Sequence, residues 1–197
     1  MSPLLLILTA LAGLAALFGL LYLLARRIDN YGIVDIAWSY AFGVLVIYYA
    51  AAAPGWSGRR LLIAALGTAW SLRLGTHLYR RVMSHHPVED GRYVQLRQDW
   101  AGNFAPKMFG FFQLQAASVV LLGVPFLLPA LNPAPGFHPL EAAGALLWLV
   151  AILGESLADA QLAAFKRTAA RGQVCAVGLW RYSRHPNYFF EWLVWVS

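Results

Sequence analysis

Charge is the scarcest commodity in this sequence: of 197 residues only 12% are Asp, Glu, Lys or Arg, and just nine of those are acidic. A soluble domain carries roughly a quarter charged residues, so a water-solvated globule is excluded. Cysteine is almost missing as well. The single Cys175 rules out an intramolecular disulfide, and nothing in the sequence has the Cys/His spacing of a structural zinc site. His85 and His86 are adjacent, and neighbouring residues do not share a helix face, so no metal site is expected there. No internal repeat and no low-complexity tract stand out.

What is present is long apolar runs, which with tyrosine, tryptophan and phenylalanine bring the apolar fraction to 60%. A membrane helix needs about 20 such residues. The reading is an all-α, polytopic transmembrane helix bundle in a single domain. Spans are expected at Leu4 to Ala25, Ile33 to Ala53, Arg60 to Val82, Pro106 to Ala130 and Pro139 to Phe165, with a sixth starting near Asn187. The first run lacks the basic leader of a signal peptide and is read as a retained helix. "APGWSG" and "NPAPGFHP" supply the breakers between spans.

With the amino terminus placed outside, twelve Lys and Arg fall on the inner side, including Arg26, Arg27, Arg171, Arg181 and Arg184, against only Arg59 and Arg60 outside. The positive-inside rule therefore turns the loop Met83 to Ala105 and the segment Lys166 to Pro186 towards the cytoplasm, where soluble cofactors are found. Basic residues confined to such short loops serve topology, so the net charge of +6 is no argument for nucleic acid. The expected partners are membrane lipids and a hydrophobic small molecule.

Ionisable residues within apolar spans are costly and are functional candidates by default. Glu141 is set aside as an acidic residue at a helix start, where the dipole favours it. Glu155, Asp159, Leu162 and Lys166 follow i, i+4, i+7, i+11 spacing, a polar stripe on one helix face. Arg73, His77 and Arg80 in "WSLRLGTHLYRR" form a basic stripe on another helix. Such stripes can lock helices together or line a polar cavity. The loop "VEDGRYVQLRQDW" is either a solvated interfacial loop or a cover for a ligand.

The densest polar chemistry lies in "RYSRHPNYFFE". Pro186 disfavours helix at His185 and suits a first turn, so a helix should start at about Asn187, placing Asn187 and Glu191 on one face. The start of that helix, flanked by Arg181, Arg184 and His185, has the character of an anion site.

Together, "GESLADAQLAAFKR", "GLWRYSRHPNYFFE", "NYGIVDIAW", "WSLRLGTHLYRR" and "EDGRY" resemble the steroid 5α-reductase-like membrane proteins, particularly a bacterial branch of them. The resemblance implies NADPH-dependent reduction of an activated carbon–carbon double bond in a steroid or other lipid, at a bacterial inner membrane. By the same resemblance Glu155, Asp159, Lys166, Asn187 and Glu191 match cofactor-contacting positions, joined by the anion-binding Arg181, Arg184 and His185. Asp35, His77 and Tyr79 roughly occupy the substrate-side places. Arg184, His185 and Pro186 are also similar to the "RHP" of isoprenylcysteine carboxyl and phospholipid methyltransferases, which bind S-adenosylmethionine. Asn187 with Glu191, and the acidic stripe before them, favour reduction. A non-catalytic membrane protein is the third reading. The resemblance also implies a longer chain, because the sequence stops about ten residues into a span that needs about 20.

Overall fold

The computed structural model describes every residue except His85 and Arg171, so the adjacent-histidine reading and Arg171 of the basic count lie outside the described residues. Eight α-helices are seen and no strand among those residues: α1 Pro3–Ile28, α2 Ile33–Ala52, α3 Ser57–Met83, α4 Gly91–Asp99, α5 Phe104–Leu122, α6 Val124–Leu131, α7 Pro139–Thr168 and α8 Pro186–Val196. They fall into two compact units, Met1–Gly136 and Phe137–Ser197.

Among the described residues, four helical segments are long and apolar enough to cross a membrane: α1, α2, the run Ala101–Leu131 and α7. The protein is therefore an integral membrane protein in contact with lipid. The third expected span, Arg60 to Val82, is helical, and at 27 residues it reaches about 40 Å. Its arginines keep it short of the apolar composition of the other four.

In the first unit, α1 begins at Ser2, whose hydroxyl accepts from the Leu5 amide, and ends at Asp29 in the left-handed region, φ +52°. Leu6, Ala10, Leu14, Phe18, Tyr22 and Ala25 form its buried stripe, leaving Leu8 and Leu20 exposed. The sequence-read span over Pro106 to Ala130 is divided at Gly123 into α5 and α6, because Pro125 has no amide hydrogen to continue the ladder.

Close packing of α2 on α3 uses small residues four apart on α3: Gly67, Ser71 and Gly75. A Cβ on Gly75 would lie 2.6 Å from the Tyr40 ring, and one on Gly67 would lie 3.1 Å from Val46. The buried Ser71 hydroxyl accepts from the Gly43 amide (2.9 Å) and donates to the Ser39 carbonyl (2.6 Å). This is the small-xxx-small device of membrane helices, and it explains how a charged helix is held against an apolar one.

Arg59, only 4% exposed, donates to the carbonyls of Asn132 (3.2 Å), Ala134 (3.0 Å) and Gly136 (3.0 Å). Arg60 donates to the carbonyls of Ala50 and Ala53. The two arginines read from sequence as loop charges thus pin the chain where helices end and leave carbonyls unpaired.

Candidate functional site

The second unit is built on α7. His138 and Glu141 form its capping box, with the His138 amide donating to Glu141 Oε2 at 2.7 Å, so Glu141 has the helix-start role read for it. Towards the other end of α7, the segment after it is tied back twice. Gln161 Oε1 accepts from the Leu179 amide, and the Trp180 indole N–H donates to the Ala158 carbonyl, both at 2.8 Å. Together they hold the 3-10 turn Gly178–Arg181. Gly178 is required there: its φ is +56°, and a Cβ would fall 2.4 Å from the Gln161 amide.

That turn delivers the chain to α8, which begins at buried Pro186, one residue from the expected start. α8 approaches α7 closely because residue 154 is glycine, where a Cβ would sit 2.3 Å from the Phe190 ring. The approach brings Asn187 Nδ2 to donate to Asp159 Oδ1 at 3.3 Å. Asn187 Oδ1 is buried and has no hydrogen-bond partner among the described residues. Glu155, one turn before Asp159, is 5% exposed. Glu191 accepts from the Trp195 indole N–H at 3.1 Å.

The second unit also holds an open groove of about 460 Å³, lined by Leu162, Cys175 and Trp180 and edged by Arg181, Arg184 and His185; Asp159 and Asn187 are not among its lining residues. The three basic side chains are exposed. The His185 ring stacks on Tyr188, 5.2 Å between centroids and 15° between planes. Lys166 is exposed in the last turn of α7. Every sequence-predicted cofactor residue therefore falls within the second unit, with Asp159 and Asn187 in direct contact.

A family model described as "Protein of unknown function (DUF1295)" matches residues 21–197. The chain belongs to the DUF1295 family. It is similar to an uncharacterized protein of Schizosaccharomyces pombe, C594.04c, at 27% identity over 180 residues, covering 80% of this chain and 52% of the relative. The chain thus spans about half the length of that curated relative. No solved structure matches it.

The substrate-side candidates of this DUF1295 chain all lie in the first unit. His77 and Tyr79 sit at exposed positions on α3. Asp35 is engaged elsewhere: Oδ2 accepts from Arg92 at 2.7 Å and Oδ1 from the Tyr93 hydroxyl at 2.9 Å. Tyr93 itself is 2% exposed. Within the segment "VEDGRYVQLRQDW", Gly91–Asp99 form the helix α4, which is largely exposed and is docked through Tyr93 and ion pairs. Asp90 caps it through the Arg92 amide and pairs with Arg81 at 2.9 Å. Arg97 bridges Glu89 (2.8 Å) and Asp29 (2.7 Å) while lying over the rings of Tyr31 and Phe104.

Burial pushes the Tyr93 hydroxyl above its ordinary range, and the Asp35 carboxylate adds to that. Burial would also raise Asp90, but the Arg92 amide and guanidinium and the Arg81 charge outweigh it and hold Asp90 below the usual carboxylate range.

Sequence reasoning missed α4, the Arg59 clamp and the pinning trio Gln161, Gly178 and Trp180. Signals were present for two of these. Asp90 ahead of Gly91 is an N-cap residue, and two arginines in a first helical turn oppose the helix dipole, so they need partners elsewhere. The Gln161 and Trp180 bonds span 18 and 22 residues and have no local signature.

Proposed function

We propose that this DUF1295 protein is an NADPH-dependent reductase of an activated carbon–carbon double bond in a hydrophobic, steroid-like or other lipid substrate. The observation that carries the reading is the Asp159–Asn187 contact, formed in the same unit as a groove edged by three basic side chains. The donor set suits a dinucleotide phosphate. Arg181, Arg184 and His185 would hold phosphates. The orphaned Asn187 Oδ1 and the Asp159 carboxylate are acceptors for ribose hydroxyl or carboxamide hydrogens. Lys166 adds a further cation, and Glu155 and Glu191 complete the acidic set.

When bound, NADPH supplies a hydride to the β-carbon of a conjugated carbonyl. The work left to the chain is positional and electrostatic. The carbonyl oxygen needs a hydrogen-bond donor as negative charge develops on it, and Tyr79 and His77 are the residues that the resemblance assigns to the substrate side. Asp35 is read as a positioning residue, since both its oxygens hold α4. The accompanying topology is five spans and the start of a sixth, amino terminus outside, with the groove facing the cytoplasm of a bacterial inner membrane.

The test is a comparison of NADPH, NADH and S-adenosylmethionine by thermal shift on the full chain in detergent. A ligand that binds only the folded state raises its stability by about 2.7 kcal/mol at a hundred times its Kd. A shift with NADPH alone supports reduction. A shift with S-adenosylmethionine alone transfers the groove to methyl transfer, and no shift with any of the three leaves a non-catalytic role.

A further inference from the structure

We propose that the membrane surface where α1 ends and α5 begins binds phospholipids of net negative charge through Arg26, Arg27 and Lys107. Arg26 and Arg27 stand in the last turn of α1 and Lys107 in the first turn of α5. The Tyr22 hydroxyl donates to the Ala105 carbonyl at 3.0 Å, and its ring meets that of Phe109 edge-on, 5.4 Å between centroids. These contacts put the two helix ends at one level. Both belong to segments long and apolar enough to span the membrane, so the three cations stand where a span passes into the headgroup layer.

The pairing of charges sets these cations apart from their neighbours. Five acidic residues lie between the end of α1 and the start of α5: Asp29, Asp35, Glu89, Asp90 and Asp99. Four of them are taken by Arg81, Arg92 and Arg97, at 2.7 to 3.2 Å. The fifth, Asp99, accepts from the Gln95 side-chain amide at 2.8 Å. Among the described residues no carboxylate pairs with Arg26, Arg27 or Lys107, and all three are exposed. Leu23, Leu24 and Phe109 beside them are exposed too, by 57%, 47% and 45%, so the cations adjoin a lipid-facing surface. Lys107 also stands where the helix dipole disfavours a cation, and no side chain caps α5. Positive charge and dipole therefore coincide there with no protein anion to offset them.

The partner follows from charge and position. A cation at this height finds its counter-charge in a lipid headgroup, and guanidinium groups suit a phosphate by geometry as well as charge. The headgroup must carry net negative charge to supply it. Phosphatidylglycerol meets these terms. Phosphatidylcholine does not, because its phosphate is balanced by its own choline. Each Lys or Arg at an anionic membrane surface strengthens association about five-fold, and salt screens the gain.

The full chain, purified in neutral detergent, is equilibrated with equal amounts of phosphatidylglycerol and phosphatidylcholine of the same acyl chains, and retained lipid is counted by native mass spectrometry. The expected result is at least five-fold more phosphatidylglycerol, with the preference shrinking as salt is raised before desalting. Lys107→Gln should reduce the preference at least two-fold, and Arg26→Gln with Arg27→Gln at least five-fold. Arg26→Lys with Arg27→Lys keeps the charge and should keep the preference, which separates lost charge from lost fold. Equal retention of the two lipids by the unaltered protein would overturn the assignment, as would a preference that survives neutralising all three cations. Release of phosphatidylglycerol by millimolar glycerol 1-phosphate would overturn it too, by showing a site for a soluble anion in its place. Nucleotide binding plays no part in this test, so its outcome is independent of the reductase reading.

Discussion

Replacing Asp35 by alanine separates a docking role from a catalytic one. The substitution leaves the Tyr93 hydroxyl, in a side chain 2% exposed, without its acceptor; a buried hydroxyl so abandoned costs about 1–3 kcal/mol. The lost pair with Arg92, whose side chain is 63% exposed, adds about 0.5–1 kcal/mol because water screens it. The sum, about 1.5–4 kcal/mol, corresponds to a roughly ten- to several-hundred-fold increase in the opening of α4. A helix of nine residues does not hold itself together in water, so its amides report docking directly. Hydrogen exchange on the solubilised chain should therefore show faster exchange confined to Gly91–Asp99 and its neighbours. Asn at position 35 keeps an acceptor for Tyr93 and should cost much less. Unchanged exchange of α4 in Asp35→Ala, together with loss of turnover, would refute the docking account and restore Asp35 to the reacting centre.

Arg59→Met should lower thermal stability by about 2–4 kcal/mol, since three charge-assisted bonds to carbonyls are lost and water replaces them only in part; Arg59→Lys should fall between. Gly178→Ala forces alanine into the left-handed region and against Gln161, a loss of about 1–3 kcal/mol visible as a lower melting midpoint and weaker NADPH binding. The docking of α4 should be bounded on both sides in pH. Tyr93 is raised from 10.0 when folded, so its contribution is whole below pH 10 and fades as pH rises beyond it. Asp90 is lowered from 3.8, so its contribution is whole above pH 4 and is lost as pH falls further. Exchange of α4 measured across pH, corrected for intrinsic rates, should be slowest between those limits.

Apolar length made the spans legible: α1, α2 and α7 lie where hydropathy and breakers placed them, because the bilayer demands that pattern of any spanning helix. The division at Gly123 was readable in Pro125 but was absorbed into one long span. Helix periodicity likewise put Glu155, Asp159 and Lys166 on one stripe and Asn187 at a helix start, and Asp159 does meet Asn187. The surface network was not legible, since Asp35 and Arg92 stand 57 residues apart and an ion pair leaves no mark on either local sequence. An acidic residue early in a span is the same letter whether it meets substrate or a neighbouring helix. The Gln161 and Trp180 ties are of the same long-range kind, which is why the groove they shape was invisible while its charged rim was not.

The most direct measurement of the central claim is the dissociation constant of NADPH for the unaltered chain and for Asn187→Leu, read from nucleotide fluorescence, with S-adenosylmethionine as competitor. The account predicts saturable binding, weakened at least ten-fold in Asn187→Leu while the melting midpoint without ligand barely moves. No fluorescence change at millimolar NADPH, or equal affinity in the two proteins, would contradict it.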